Sequence, residues 1–361
     1  MKANSIAATV AIALLLCVPN CAISQTQSGH VDLHEVGWHV AGSEPGAQPL
    51  LYNALGFGSD DSLWVLYPRE EEKELIPKGS EPSHEAALAH LSAHGDIILV
   101  CPVTLSDWFH AQIFVPRSGL PIVQSGSLLQ SIGGNCAIKA AVSLNKDHPF
   151  RTSLSTDGDM LNVVTTEKVI IGIDTSTLQI VYRHTLPASV RAGEVSVAET
   201  IAAFSLPGTS HGACESQDVV RRRLSDSTDA SWAKLECSEF VAFSDQLLLA
   251  KKRLGHEEML SLLDERGLTV ASISTESGWY IDTPSFYLRR LSTSASRRVA
   301  EALFNKEPQT SLIEIFDLSE KKAIMGIHVS DPPRIFSFSL SSSGRLLGIM
   351  SGPMVDIYSV P

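Results

Sequence analysis

One stretch constrains the fold more than any other. Phe150 to Pro187 reads FRTSLSTDGDMLNVVTTEKVIIGIDTSTLQIVYRHTLP. Four short apolar runs, Phe150–Leu154, Met160–Val164, Val169–Ile173 and Leu178–Tyr182, are separated by polar turns. The Ser155–Gly158 turn carries Asp-Gly, which supplies the positive φ that a tight hairpin needs, and Asp174 opens a second turn. The spacing predicts four antiparallel strands within about 38 residues.

That is the size of one β-propeller blade, and weaker copies of the unit follow. An apolar strand, a polar turn opened by Asp and a second apolar strand recur as IGIDTSTLQIV at Ile171, SLLDERGLTVASI at Ser261 and IEIFDLSEKKAIMGI at Ile313. A looser version, ALAHLSAHGDIILV, starts at Ala87. A second element with Gly late in the turn appears as SLSTDGDMLNVV at Ser153 and SLSSSGRLLGIM at Ser339. The two alternate, as the inner and outer hairpins of blades must. A chain of 361 residues exceeds the roughly 250–300 at which single cores stop growing. A repeat architecture escapes that limit because each unit buries its faces against its neighbours. At a period near 47 residues the chain holds about seven blades. The fold class expected is therefore all-β: a single β-propeller of about seven four-stranded blades.

The ends of the chain point to closure. Ile335 to Val360 supplies only three strands, while Val31 to Val40 (VDLHEVGWHV) stands without a hairpin partner. Pairing them completes a blade and removes two open sheet edges. Two segments oppose this reading. Gln246 to Leu263 (QLLLAKKRLGHEEMLSLL) and Ser296 to Lys306 are rich in good helix formers. If both are helices, an α/β fold is the competing architecture.

The N-terminus carries an export signature. Lys2 precedes an apolar run from Ile6 to Val18, and Ala22-Ile23-Ser24 places small residues where a signal peptidase reads them. Residues 1–24 are expected to be a signal peptide cleaved between Ser24 and Gln25, leaving 25–361 as the propeller domain, secreted or periplasmic. Val18-Pro19-Asn20 before Cys21 lacks the small residues of a lipidation site. Four cysteines then remain, Cys101, Cys136, Cys214 and Cys237, which allow three pairings. Cys214–Cys237 is the preferred bridge because it would tie off the polar excursion from Gly208 to Asp218. The competing reading is four small buried thiols. A formal charge of −12 argues against nucleic acid as a partner. No later segment is apolar for long enough to span a membrane.

The units at Phe150–Pro187 and Ile313–Pro361 resemble secreted bacterial β-propellers of the YVTN and WD-like repeat group. Val169–Val181 (VIIGIDTSTLQIV) carries the likeness, although the namesake tetrapeptide is absent and no Trp-Asp dipeptide closes a strand. The resemblance implies the fold. It implies no particular activity, since propellers host binding modules, hydrolases, lyases and oxidoreductases alike.

The chemistry-bearing motifs are sparse. Gly208-Thr209-Ser210-His211-Gly212 matches a nucleophile elbow, with Ser210 as nucleophile and His256 or His328 as nominal base. That motif requires a strand before it and a helix after it, and Pro207 and the polar ACESQD make a poor helix start. His34 and His39 fall on opposite faces of one expected strand, and His90 and His94 on a strand and its turn. Neither pair forms a metal site there, and the cysteines lack zinc spacing. Asp60-Asp61 and Asp157-Gly158-Asp159 lack the ligand sequence of a calcium loop and read as turns. Arg221-Arg222-Arg223 and Arg297-Arg298 are basic spots suited either to an acidic ligand or to solvated strand ends. The five tryptophans, Trp38, Trp64, Trp108, Trp232 and Trp279, share no blade position, so no cofactor box emerges. The function expected is a binding or scaffold module without cofactor or metal, monomeric, holding a protein or small molecule at one end of the central channel. The competing readings are a hydrolase or lyase on the same ring, or an α/β-hydrolase using Ser210.

Overall fold

The structure, a computed structural model, describes residues 26–38, 54–69, 84–106, 111–144, 147, 149–155, 157–190, 195–198, 201–211, 214–236, 238–244, 247–254, 257–264, 266–274, 279–281, 292–293, 298–305, 310–317, 320, 322–330 and 336–361. The chain forms seven antiparallel sheets in succession. Blade 1 is built by Leu55–Phe57, Leu63–Pro68, His84–Leu91 and Ile97–Leu105. Blade 2 runs Gln112–Phe114, Ile122–Ser125, Leu128–Ile132 and Ile138–Ser143, and blade 3 runs Pro149–Leu154, Met160–Thr165, Val169–Asp174 and Ile180–Thr185. Blade 4 follows with Val195–Ala198, Ile201–His211, Cys214–Arg223 and Thr228–Glu236. Blade 5 comprises Ser238–Ser244, Leu247–Leu254, Glu257–Leu263 and Thr269–Ser274. In blade 6 the main path is Trp279–Ile281, Arg298–Asn305, Thr310–Asp317 and Lys322–Ser330, with Ser292–Thr293 paired on the side.

Blade 7 closes the ring. Phe336–Leu340, Leu346–Ser351 and Met354–Ser359 are joined by Thr26–Asp32 from the other end of the chain, in register from Thr26 opposite Ser359 to Asp32 opposite Met354. First strands of neighbouring blades touch, as Leu55–Phe57 does Phe336–Leu340, so the first strand is innermost and the fourth lies on the rim.

The closing strand sits earlier than Val31–Val40. Asp32 instead caps a short 3-10 turn, Leu33–Val36, by accepting from the His34 amide. The reason is apolar: Leu33 is fully buried and Trp38 stacks on Tyr67, whose hydroxyl donates to the Val36 carbonyl at 2.8 Å. A strand continued to Val40 would pull these groups out of the core. Blade 3 shows a smaller shift, because its last strand starts at Ile180 rather than Leu178. Leu178 adopts a positive φ in the turn, where its amide donates to the Asp174 carbonyl.

The two helix-forming segments are strands. Leu247–Leu254 pairs with Glu257–Leu263, and Arg298–Asn305 sits second in its sheet. Their local preference, a few tenths of a kcal/mol per residue, yields to pairing with a strand on each side, and in the first segment to burial of Leu248, Ala250 and Leu263. The α/β alternative is thereby overturned. Between blades 2 and 3, Phe114, Ile122 and Leu129 meet Leu161, Val163 and Ile171. Ile170, on the opposite face from Ile171, packs toward blade 4 with Val195 and Phe204. A middle blade is covered on both faces, which is why Val169–Ile173 is apolar almost throughout.

Candidate functional site

The residues singled out in the sequence do not converge. Ser210 lies in the strand Ile201–His211 opposite Glu215, and His211 is opposite Cys214 at the end of a hairpin. The polar excursion Gly208–Asp218 is thus a strand pair rather than a loop. The chain re-enters a strand where an elbow demands a helix. His328 stands on the rim strand of blade 6, two blades away, and His256 lies outside the described residues. Cys214 opens a strand, while Cys237, Ser24, Gln25, His39, Trp108 and Arg297 also lie outside them. Among the described residues no group of three or more His, Cys, Asp or Glu could hold a metal ion.

The basic triplet is occupied internally. Arg222 makes a two-pronged pair with Asp229 at 2.6 and 2.8 Å, donates to the Thr185 carbonyl and stacks over Phe204. Arg221 lies over the Trp232 ring at 4.6 Å, and Arg223 pairs with Asp226. His34 Nδ1 is 2.9 Å from Asp32, and His30 Nδ1 is 2.7 Å from Asp356. His90 stacks flat on Trp64 at 4.1 Å between ring centres, with its Nε2 buried and unpartnered. Burial lowers its pKa below the ordinary histidine value, against a weaker pull from Asp60.

The turns joining strands 1–2 and 3–4 of each blade all lie at one end of the ring. Most of the described ones share one local chemistry: a side-chain oxygen accepts from amides two to five residues ahead. Asp174 accepts from the Ser176 and Thr177 amides, Asp264 from Arg266 and Leu268, Asp226 from Thr228 and Asp317 from Glu320. Ser155 and Ser341 do the same toward Met160 and Leu346. The Ser176 and Thr177 hydroxyls, which also donate to Asp174, hold its carboxyl below the usual carboxylate range, with their amides adding a smaller pull. Ser62 does the same for Asp60. The Asp-opened turn is therefore a self-capped loop, and Asp60 and Asp157 are such turn residues.

The rim carries a feature that the sequence did not announce. In every blade the fourth strand holds one extra residue against the third, near its start in all but blade 4, where it falls at mid-strand. From blade 1 to blade 6 that residue is Ile98, Lys139, Val181, Trp232, Val270 and Ile324, and in blade 7 it is Ser28. Such a bulge breaks the hydrogen-bond ladder and re-aims a side chain. In blade 4 the Trp232 side chain is covered, and its Nε1–H donates to the Asp264 carbonyl of the next blade at 2.7 Å. In blades 1 and 3 Ile98 and Val181 stand 57% and 60% exposed. Their neighbours Ile97 and Ile180 are exposed as well, as is Ile138 before Lys139 in blade 2.

Rim strands lean on the following blade's turn at several seams. Gly29 of blade 7 would place a Cβ 2.6 Å from the His94 carbonyl, so only glycine fits that approach. Cys101 of blade 1 is disulfide-bonded to Cys136 in the turn of blade 2, with Cα atoms 5.1 Å apart. This bond covers the two cysteines that the expected Cys214–Cys237 bridge leaves over. It joins strands bearing two of the exposed isoleucines, Ile98 and Ile138, and so ties their positions together. Residues 70–83 and 107–110 lie outside the described residues. Among the described residues, the exposed large apolar side chains Ile97, Ile98, Ile138, Ile180 and Val181 all lie on the rim strands of blades 1–3.

No family model matches the chain, and no curated protein matches it by sequence. Solved structures do match its fold. U3-55K is 11% identical with a TM-score of 0.55, over 88% of this chain and 97% of that one. The RRP9 WD40 repeats are 11% identical with a TM-score of 0.54, over 88% and 96%. A chain of the Mitotic Checkpoint Complex is 12% identical with a TM-score of 0.55, over 100% and 97%. At these identities the likeness concerns the fold: the chain is a β-propeller repeat protein similar in architecture to WD40 rings.

Proposed function

We propose that this chain is an exported, non-catalytic scaffold that holds a protein partner against the rim of its first three blades. One observation carries the reading: the residues that open the rim strands of three consecutive blades, Ile97, Ile138 and Ile180, are exposed, and in blades 1 and 3 the bulges turn Ile98 and Val181 into water beside them. Isolated exposed apolar residues are ordinary, but a set at equivalent positions on neighbouring blades is a recurring surface. Export rests on the leader-like N-terminus, and the YVTN-like kinship on VIIGIDTSTLQIV. The Cys101–Cys136 bond suits an oxidising compartment. One of the similar structures is that of the Mitotic Checkpoint Complex, which accords with a ring used for assembly. Among the described residues no helix is long and apolar enough to cross a membrane.

The test compares the mature chain with an Ile98→Lys/Val181→Lys variant of equal melting temperature, both immobilised and exposed to the envelope fraction and culture fluid of the source cells. A partner held by the first and retained tenfold less by the second supports the reading, a difference of about 1.4 kcal/mol. Identical captured sets would refute it. An enzyme on this ring is tested with a fluorophosphonate probe, for which no labelling of Ser210 is expected.

A further inference from the structure

The rim strand of blade 2, Ile138–Ser143, ends its sheet with an unpaired outer edge. At four other seams the neighbouring blade leans on that edge. The His94–Gly95 turn of blade 1 presses on Gly29 and His30 of blade 7, and the Cys101–Cys136 bond lays the turn of blade 2 on the rim of blade 1. Arg222 of blade 4 takes the Thr185 carbonyl of blade 3, and Gly267 of blade 5 rests on Trp232 and Ala233 of blade 4. Among the described residues no hydrogen bond, ion pair or disulfide from another blade reaches Ile138–Ser143. Ile138, Lys139, Ala141 and Ser143 are exposed, while Ala140 and Val142 pack toward blade 3.

The register shows which backbone groups face outward. The Leu144 amide donates to the Ser127 carbonyl at 2.8 Å, and the ladder continues with Val142 opposite Leu129 and Ala140 opposite Ser131. Residues of an antiparallel pair alternate between turning both backbone groups to the partner strand and turning both away. Ala141 and Ser143 therefore direct their N–H and C=O groups into water, a row that an extended backbone matches. The bulge at Lys139 sets Ile138 on the same face as these two, since the three stand opposite Ile132, Gln130 and Leu128. Edges are commonly guarded by proline or charge. This one has no proline and a single charge, Lys139, which makes no ion pair among the described residues. Pairing with a second copy would bring two Lys139 side chains and two chains of −12 together.

We propose, resting on the docking reading above, that the partner adds an extended segment to this edge as a fifth strand of blade 2. Its backbone pairs with Ala141 and Ser143, an apolar β-branched side chain covers Ile138, and an acidic side chain meets Lys139. Strand addition draws affinity from main-chain hydrogen bonds and selectivity from alternate side chains. Opposite charges across neighbouring strands favour one register over the others.

The experiment uses the full mature chain and a labelled peptide of alternating threonine and valine with one central glutamate, followed by fluorescence anisotropy. Methylating one alternate set of the peptide amides is expected to weaken binding at least tenfold, and methylating the other set to leave it within about twofold. Ala141→Pro should also weaken it at least tenfold. The Ala141 N–H bonds to no strand within the blade, and an edge position of that kind accepts proline. Should that variant melt early, Ser143→Pro replaces it. Exchanging the glutamate for lysine should weaken binding several-fold. No saturation below about 1 mM, equal loss from both methylated peptides, or undiminished binding to the proline variant overturns the proposal. So does equal binding of the lysine peptide. If Ala141→Pro still captures the natural partner while Ile98→Lys/Val181→Lys does not, the docking surface stands and strand addition falls.

Discussion

Blades 3 and 4 use the same backbone device to opposite ends. Both fourth strands carry one extra residue against the third, Val181 directly after Ile180 and Trp232 directly after Ser231. Trp232 is 6% exposed, sandwiched by Arg221 and tied to the turn of blade 5. Val181 is left in water. Blade 6 repeats the buried case with Ile324, and blade 1 the open one with Ile98. The bulge therefore fixes where a side chain emerges, while the neighbouring blade decides whether it is covered. The open bulges of blades 1 and 3 are the ones on which the proposed docking surface rests.

The largest expected effect breaks that comparison directly. Trp232→Ala removes a buried aromatic and its hydrogen bond to the Asp264 carbonyl, which keeps the Gly267 amide, for a loss of about 3–5 kcal/mol in chemical denaturation. Val181→Ala should stay within about 0.5 kcal/mol of the parent. If both cost alike, the rim bulges are structural throughout and none is reserved for binding. The second effect sharpens the contrast at the seam of blades 1 and 2. Replacing Cys101 and Cys136 by serine should cost roughly 2–4 kcal/mol, since the bridge closes a loop with a sequence separation of 35. The melting temperature of the parent should fall likewise under reductant, and that of the double variant should not respond.

The smallest effect concerns the self-capped turns. The Ser176 and Thr177 hydroxyls hold the Asp174 pKa below the ordinary value of 3.8, so the folded state binds its proton less readily than the unfolded chain does. Its contribution is complete above 3.8 and fades as pH falls through the lowered folded value. Asp174→Asn keeps the acceptor and does not titrate, so the acid limb of stability against pH should become slightly shallower. An unchanged limb would mean that the turn holds no charge-dependent bond.

What was legible in the sequence was whatever is local. Asp174, Asp264 and Asp317 announce their turns because the carboxylate caps amides only a few residues away. Closure could be counted from one lone strand at the start and three at the end. The bulges were not legible, because they are a matter of register between strands: Val181 and Trp232 look alike along their own strands. The displaced closing strand escaped for a related reason. Val36 and Trp38 alternate like strand residues, yet burial of Leu33 and the Tyr67–Val36 hydrogen bond bend the chain first. Cys101 and Cys136 meet only because one blade's turn rests on its neighbour's rim strand, a contact that cysteine spacing does not encode.

The most direct test places a photoactivatable benzoyl-phenylalanine at position 98, at 181 and at 231, where Ser231 is an exposed rim residue of the covered blade 4. With the chain exposed to the envelope and culture fluid of its source cells, illumination should yield one shared protein adduct from 98 and 181, and none from 231. Equal adducts from all three sites, or none from 98 and 181, would contradict the account.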